Sequence, residues 1–451
     1  MKKRILRLVS AMGAVVFLGL SGCAGIDQPG GKLETVGLYV WEDNPSQYEF
    51  WKSCGINTLQ FCDRGWFYNA ENGSLDGYLS RMKAGLESAK KAGFRVYVIL
   101  FSNISQYKGP DDTEPTGLGV KFHPDDPSAR EERLYYLEKM IRNMAGADGF
   151  TLFAGDPGGI STDMGEGDLE DFILMAREVG KLVERVAPEA DYNINPWAVA
   201  MYRTPSVSAM TAAFWTRERA MTRELLETGD LIGGDVGVEL ACHEYYRPLV
   251  LRLYAEGRKD LSDKFPDGED LSQLKKRNTE RVWAWPYFLL DEADDGDTGS
   301  EYSFLQQLET RYIYRYLQNV RELGFNGVIG SWSYAAYQTK SLNTYAFGRM
   351  ANDPTVTPQQ AIDAFAAMLA TEETCESLGQ ILRFVENDSN FEKKLPEEER
   401  LPPLETSVTD REDALAKLEK VIAKQEGEHP LPISPGEYLQ LLKTRIEQMK
   451  S

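Results

Sequence analysis

The chain has 451 residues, with 50 Lys and Arg against 70 Asp and Glu and a formal net charge of −20. Nucleic-acid binding draws on clustered cations that displace counterions, so this balance argues against DNA or RNA as a partner, and equally against adhesion to an anionic lipid surface by charge. Three histidines (His123, His243 and His429), far apart in sequence, argue against a histidine-rich zinc site.

The amino terminus reads as a targeting segment. Lys2, Lys3, Arg4 and Arg7 precede an apolar stretch, residues 9–20, that is too short for a stable membrane span. It ends in LSGC, residues 20–23, which resembles the lipobox of bacterial lipoproteins. That resemblance implies a signal peptide over residues 1–22, acylation of the Cys23 thiol and a lipid anchor holding the protein in the bacterial cell envelope. Residues 23–31 then form the lipidated cysteine and a short tether. The mature chain would hold 429 residues (451 − 22) with a net charge of −24, four cations having gone. Cys54, Cys62, Cys242 and Cys375 show no CxxC spacing, so free buried thiols are expected.

From residue 32 onward apolar or aromatic runs alternate with stretches of helical period. Eight strands are expected, over residues 36–41, 57–62, 95–101, 149–155, 192–198, 231–237, 281–288 and 327–334. Helices are expected over residues 79–92, 134–144, 169–186 and 304–323. The segments KSCGIN, KKAGFR and RELGFN each place a glycine where a helix must stop before a strand, the usual left-handed cap. Alternating βα units with near-continuous apolar strands predict a (β/α)8 TIM barrel over residues 32–354. No GxGxxG follows the first strand, as a doubly wound sheet would ordinarily require. Residues 355–451 predict a helical C-terminal region, with amphipathic helices over 357–369, 410–425 and 434–449.

In a barrel of this kind chemistry sits at the C-terminal ends of the strands. There the sequence places Trp41, Arg64, Trp66, Asn195, Trp197, Trp285, Trp332 and Tyr334 as candidate binding residues. Indole faces interleaved with carboxylates and amides suit sugars, whose rings stack while their hydroxyls hydrogen-bond. Hydrolysis of a glycosidic bond needs two carboxyl groups, one of them held protonated. Asp156, in the turn GDPGG after the fourth strand, either caps that turn or faces a pocket; the glycines leave a substrate room to approach. Asp235 follows two glycines on the expected sixth strand. Asp291 and Glu292 open an acidic run after the seventh, and Glu239 and Glu244 are further carboxylates near the sixth. Residues 291–297 meet the spacing of a calcium loop only loosely, and neither metal nor cofactor is expected.

Two stretches resemble bacterial xylan-type α-glucuronidases: ADGF (147–150) leading into a small-residue turn with a carboxylate, and NTYAFGRMANDPTVTPQQAI (343–362). A third, IGGD (232–235), is similar to the strand that carries one of that family's bases. The resemblance implies a barrel followed by helices, an acid on strand four and bases on strands six and seven. By position these are Asp156, Asp235 and one of Asp291 or Glu292. The family's acid is a glutamate where this chain has Asp156, one methylene shorter. The expectation is therefore a lipid-anchored glycoside hydrolase acting on a poly- or oligosaccharide. The alternative is a surface glycan-binding lipoprotein on a glycosidase-like barrel. A lyase would have only Tyr334 or His243 as its base.

Overall fold

The computed structural model describes residues 32–40, 44–62, 75–102, 126–153, 168–195, 236–240, 281–285, 308–322, 325–331, 341–388, 397, 400–424 and 434–449. Eight strands run in chain order: β1 Thr35–Val40, β2 Thr58–Phe61, β3 Arg95–Phe101, β4 Gly149–Phe153, β5 Asp191–Asn195, β6 Val236–Leu240, β7 Val282–Ala284 and β8 Gly327–Ser331. Each pairs in parallel with the next, and β8 pairs with β1, so the sheet closes. Both faces of such a strand are covered, which is why β1 is buried along its whole length and β3 at all but its first residue.

Among the described residues, the helices between strands are α1 Tyr48–Cys54, α2 Leu75–Lys91, α3 Pro127–Asn143, α4 Asp168–Val186 and α5 Thr310–Glu322. The chain leaves α1 and α2 through Gly55 and Gly93, at φ 91° and 84°, a region that glycine enters without steric cost. At both junctions the residue after the glycine bonds back five positions: Ile56 N donates to Trp51 O (3.0 Å) and Phe94 N to Ala89 O (3.1 Å). Phe325 N makes the same bond to Val320 O (3.1 Å), ending α5 in the manner expected of RELGFN; Gly324 itself lies outside the described residues.

After β8 come α6 Ser341–Asn352, α7 Pro358–Leu369, α8 Cys375–Asn387, α9 Arg411–Ala423 and α10 Pro435–Gln448. The first of these and α8 were absent from the expected helices. Thr357 and Gln360 close a capping box ahead of α7, with Pro358 in its first turn. These helices are bound to the barrel by a buried polar junction. Glu386 on α8 accepts from Thr310 Oγ1 (2.7 Å), Arg311 N (3.1 Å) and Arg311 Nε (3.2 Å), while Arg311 Nη1 donates to the carbonyls of Leu401 and Pro402. Phe365 bridges Tyr345 and Tyr438 by ring contact, so α6, α7 and α10 share one core. Lys32–Ser451 form one compact unit.

The run that carries the α-glucuronidase resemblance has a packing role in this fold. Asn343 Oδ1 accepts from Glu309 N (3.1 Å), and Gly348 lies against the Cys54 carbonyl at the end of α1. Asn352 Nδ2 donates to the carbonyls of both Gly55 and Gly348 (2.8 Å each). The first contact ties α6 to the start of α5, and the others dock it on the end of α1. Cys54, Cys62 and Cys375 are free thiols, the first two buried as expected.

Candidate functional site

Side chains along a strand alternate between the helix-facing side and the bore. In the bore of this barrel Gln60 from β2, Thr151 from β4 and Glu239 from β6 meet, the alternate-strand arrangement by which barrel core layers are built. Such layers are ordinarily filled by branched aliphatic residues. Here the layer is polar and fully buried, with Gln60, Thr151 and Glu239 each 0% exposed.

Glu239 is the centre of this layer. Its Oε2 accepts from Gln60 Nε2 (2.8 Å), and its Oε1 accepts from Gln60 Nε2 (2.9 Å), Thr151 Oγ1 (2.7 Å) and Asn193 Nδ2 (3.2 Å). Burial pushes the Glu239 carboxyl above its ordinary range; the bonds from Thr151, Gln60 and Asn193 pull the other way without cancelling it. No salt bridge reaches Glu239 among the described residues.

Trp285, the residue after β7, lies above this layer. Its Nε1 donates to Gln60 Oε1 (3.0 Å), and its ring meets Tyr39 of β1 (5.4 Å between centroids, 87°) and Phe153 of β4 (5.2 Å, 78°) edge to face. The indole therefore crosses the bore from β7 toward β1, β2 and β4. Beside it Tyr39 donates its hydroxyl to Cys62 Sγ (2.9 Å).

Beneath Glu239 the polar contacts continue toward the N-terminal end. Asn193 Oδ1 accepts from Arg281 Nε (3.3 Å), and Asp191 pairs with Arg281 (3.1 Å) and Arg95 (3.3 Å). Tyr97 donates its hydroxyl to Asp191 and sets its ring edge to face against Trp283 at 4.9 Å. Glycines make room for these large groups. A side chain at Gly149 would strike the Tyr97 ring, and one at Gly327 would strike Trp283. Two arginines and one aspartate leave one positive charge, which Asn193 connects to Glu239 by accepting from the cation and donating to the carboxylate.

Asn195 and Trp285 are described, and both are buried, at 0% and 1% exposure. Trp41, Arg64, Trp66, Asp156, Trp197, Asp235, Asp291, Glu292, Trp332, Tyr334 and Cys23 lie outside the described residues. The sixth strand was expected over residues 231–237, ending on Asp235, but it runs from Val236 to Leu240. Pairing of Tyr192 with Val236 and Ile194 with Val238 fixes that placement. The inward carboxylate in its C-terminal half is thus Glu239. The signal for it was present in the sequence as a charged residue at an alternate position of a short apolar strand.

No protein-family model matches the chain, and no curated protein matches it in sequence. Among solved structures, a mutant O-GlcNAc hydrolase of Thermobaculum terrenum aligns at 11% identity and a TM-score of 0.48, over 94% of this chain and 79% of that one. A structure described as a glycoside hydrolase aligns at 12% identity and a TM-score of 0.40, over 67% of this chain and 88% of that one. At these identities and TM-scores neither likeness identifies a substrate or a catalytic residue.

Proposed function

We propose that the protein is a glycoside hydrolase acting on a poly- or oligosaccharide at the C-terminal rim of the barrel. The observation that carries this reading is the polar bore. Each buried polar group left unpaired costs about 1–3 kcal/mol. A barrel that needed only stability would fill this layer with aliphatic side chains. Gln60, Thr151, Asn193, Asn195 and Glu239, with Trp285 above them, mark the C-terminal half of the bore as the base of a site.

In this reading Asp156, three residues beyond the end of β4 at Phe153, is the general acid. Its partner is one of Asp235, Asp291 or Glu292, acting as base or nucleophile. Trp41, Arg64, Trp66, Trp197, Trp332 and Tyr334 would bind the sugar, while Asn195 and Trp285, being buried, belong to its floor. Acylation of Cys23 would hold the enzyme in the bacterial cell envelope through lipid, since a net charge of −20 offers no electrostatic adhesion to anionic bilayers.

The test is release of reducing sugar from a panel of plant and host polysaccharides by the purified protein, beside Asp156→Asn. Release by the wild type and loss in the variant are expected. Full activity in Asp156→Asn would remove Asp156 from the mechanism. No release from any polysaccharide, together with retained binding, would favour the glycan-capturing alternative.

A further inference from the structure

One side chain, Gln60, joins Glu239 to Trp285. Gln60 is a primary amide, with an oxygen that only accepts and a nitrogen that only donates. Trp285 Nε1–H is a donor only, so it must face Gln60 Oε1 (3.0 Å). Ionised Glu239 is an acceptor only, so it must face Gln60 Nε2 (2.8 and 2.9 Å). The two neighbours fix the amide in one orientation from opposite sides.

The hydrogen bonds to Glu239 favour its charged form, against the effect of burial. Gln60 Nε2, Asn193 Nδ2 and Thr151 Oγ1 donate to it; of these atoms only the Thr151 oxygen can also accept a hydrogen bond, and it already accepts from Gln60 Nε2 (3.2 Å). A protonated Glu239 would face a surplus of donors. Asn193 also accepts from Arg281, so its amide is held with Nδ2 toward Glu239. The charged groups on β3, on β5 and just before β7 are Arg95, Asp191 and Arg281, and Arg281 pairs with Asp191 (3.1 Å); Gln60 on β2 and Thr151 on β4 are neutral.

We propose that Glu239, as a carboxylate, is a positioning residue that orients the Gln60 amide and thereby locks the Trp285 indole across the bore as the floor of the site. Naming this floor a sugar subsite rests on the glycosidase reading; the coupling of Glu239 to Trp285 does not. The device makes the floor sensitive to the charge of a group lying below it. Protonation or neutral replacement of Glu239 gives Gln60 an alternative amide orientation, and the indole then loses its acceptor.

The test uses the full chain isotopically labelled at the tryptophan indole nitrogen. Trp285→Phe identifies the Trp285 signal among the eight tryptophans. In Glu239→Gln, hydrogen exchange of this indole N–H is expected to quicken about tenfold or more, the effect of losing one hydrogen bond. Thr151→Val removes one donor to Glu239 (2.7 Å) and the longest of the Gln60 Nε2 contacts (3.2 Å) but keeps the carboxylate that faces the amide, so it should quicken exchange less. In the wild type the Trp285 indole shift should follow a single protonation that Glu239→Gln abolishes. Unchanged exchange in Glu239→Gln, equal acceleration in Thr151→Val, or an indole shift invariant with pH would each overturn the proposal. Should Glu239→Gln not fold, the wild-type titration decides alone. Since none of these signals needs a substrate, absence of sugar release would defeat the glycosidase reading and leave this coupling standing.

Discussion

Replacing Gly348 by alanine sets two effects of known size against each other. Gly348 sits inside α6, where glycine costs about 1 kcal/mol relative to alanine through backbone entropy. On propensity alone the variant should be more stable. The structure opposes this, because a Cβ at Gly348 would stand 2.4 Å from the Cys54 carbonyl oxygen and 3.0 Å from its carbonyl carbon and Cβ. The obstructing atom is backbone at the end of α1 and has no rotamer by which to withdraw. Restoring even 3.0 Å requires α6 to move by about 0.6 Å (3.0 − 2.4), and a gap of that order forfeits about a quarter of each neighbouring contact. Asn352 would lose geometry in the same movement, since its Nδ2 bonds both the Gly55 and Gly348 carbonyls.

Overpacking against an unyielding neighbour costs about 3 kcal/mol, the upper end of its usual range, so the net expectation is about 2 kcal/mol of destabilisation. Urea unfolding followed by far-UV circular dichroism measures it, as a lowered midpoint at unchanged slope. Gly146→Ala is the control, because there the nearest atom to the new Cβ is Leu86 Cδ2 at 3.8 Å, an ordinary contact. If Gly348→Ala proves as stable as the wild type, or more so, the close docking of α6 on α1 is wrong.

Three further outcomes are expected. Glu386→Gln leaves Arg311 without its buried carboxylate and should cost about 3 kcal/mol, at the lower end for a broken buried pair because the Leu401 and Pro402 carbonyls still accept from Arg311. A loss below about 1 kcal/mol would show that this junction does not hold the C-terminal helices. Thr357→Ala removes the cap of α7 and should cost about 1 kcal/mol in the same assay; a change within error would mean that the capping box contributes nothing. For Glu239, burial raises the folded carboxyl above its ordinary value of 4.5. Its contribution to stability is therefore fully present below pH 4.5 and is lost as pH rises through the raised value. Glu239→Gln should remove that decline, and parallel stability curves for variant and wild type would contradict it.

The barrel was legible because its signals are local. A strand covered on both faces must be nearly all apolar, so RVYVILF identified β3 to the residue, and the helix–glycine–strand junctions located the ends of α1 and α2. The sixth strand was misplaced because LIGGDVG satisfies the same apolar test as VGVEL. Only pairing with Tyr192 and Ile194, distant in sequence, chooses between them. The run NTYAFGRMAN, residues 343–352, encodes packing here: a glycine for close approach to Cys54 and Asn352 to bond the turn at Gly55.

The buried polar layer followed a different logic, because its residues lie within strands and not at their ends. Gln60, Thr151, Asn193 and Glu239 lie within strands, each at an alternate position among apolar neighbours. Taken one at a time, such residues look like mild breaks in a strand pattern. In a parallel barrel no strand face is exposed to water, so each inward polar residue demands a partner from another strand. Four such residues on β2, β4, β5 and β6 can satisfy one another only by converging. That demand could have been read from the alternation alone, though which donor meets which acceptor could not, because Gln60 and Glu239 are separated by 179 positions in the chain. The orientation of the Gln60 amide, and with it the seat of Trp285, is fixed only once the bore has closed.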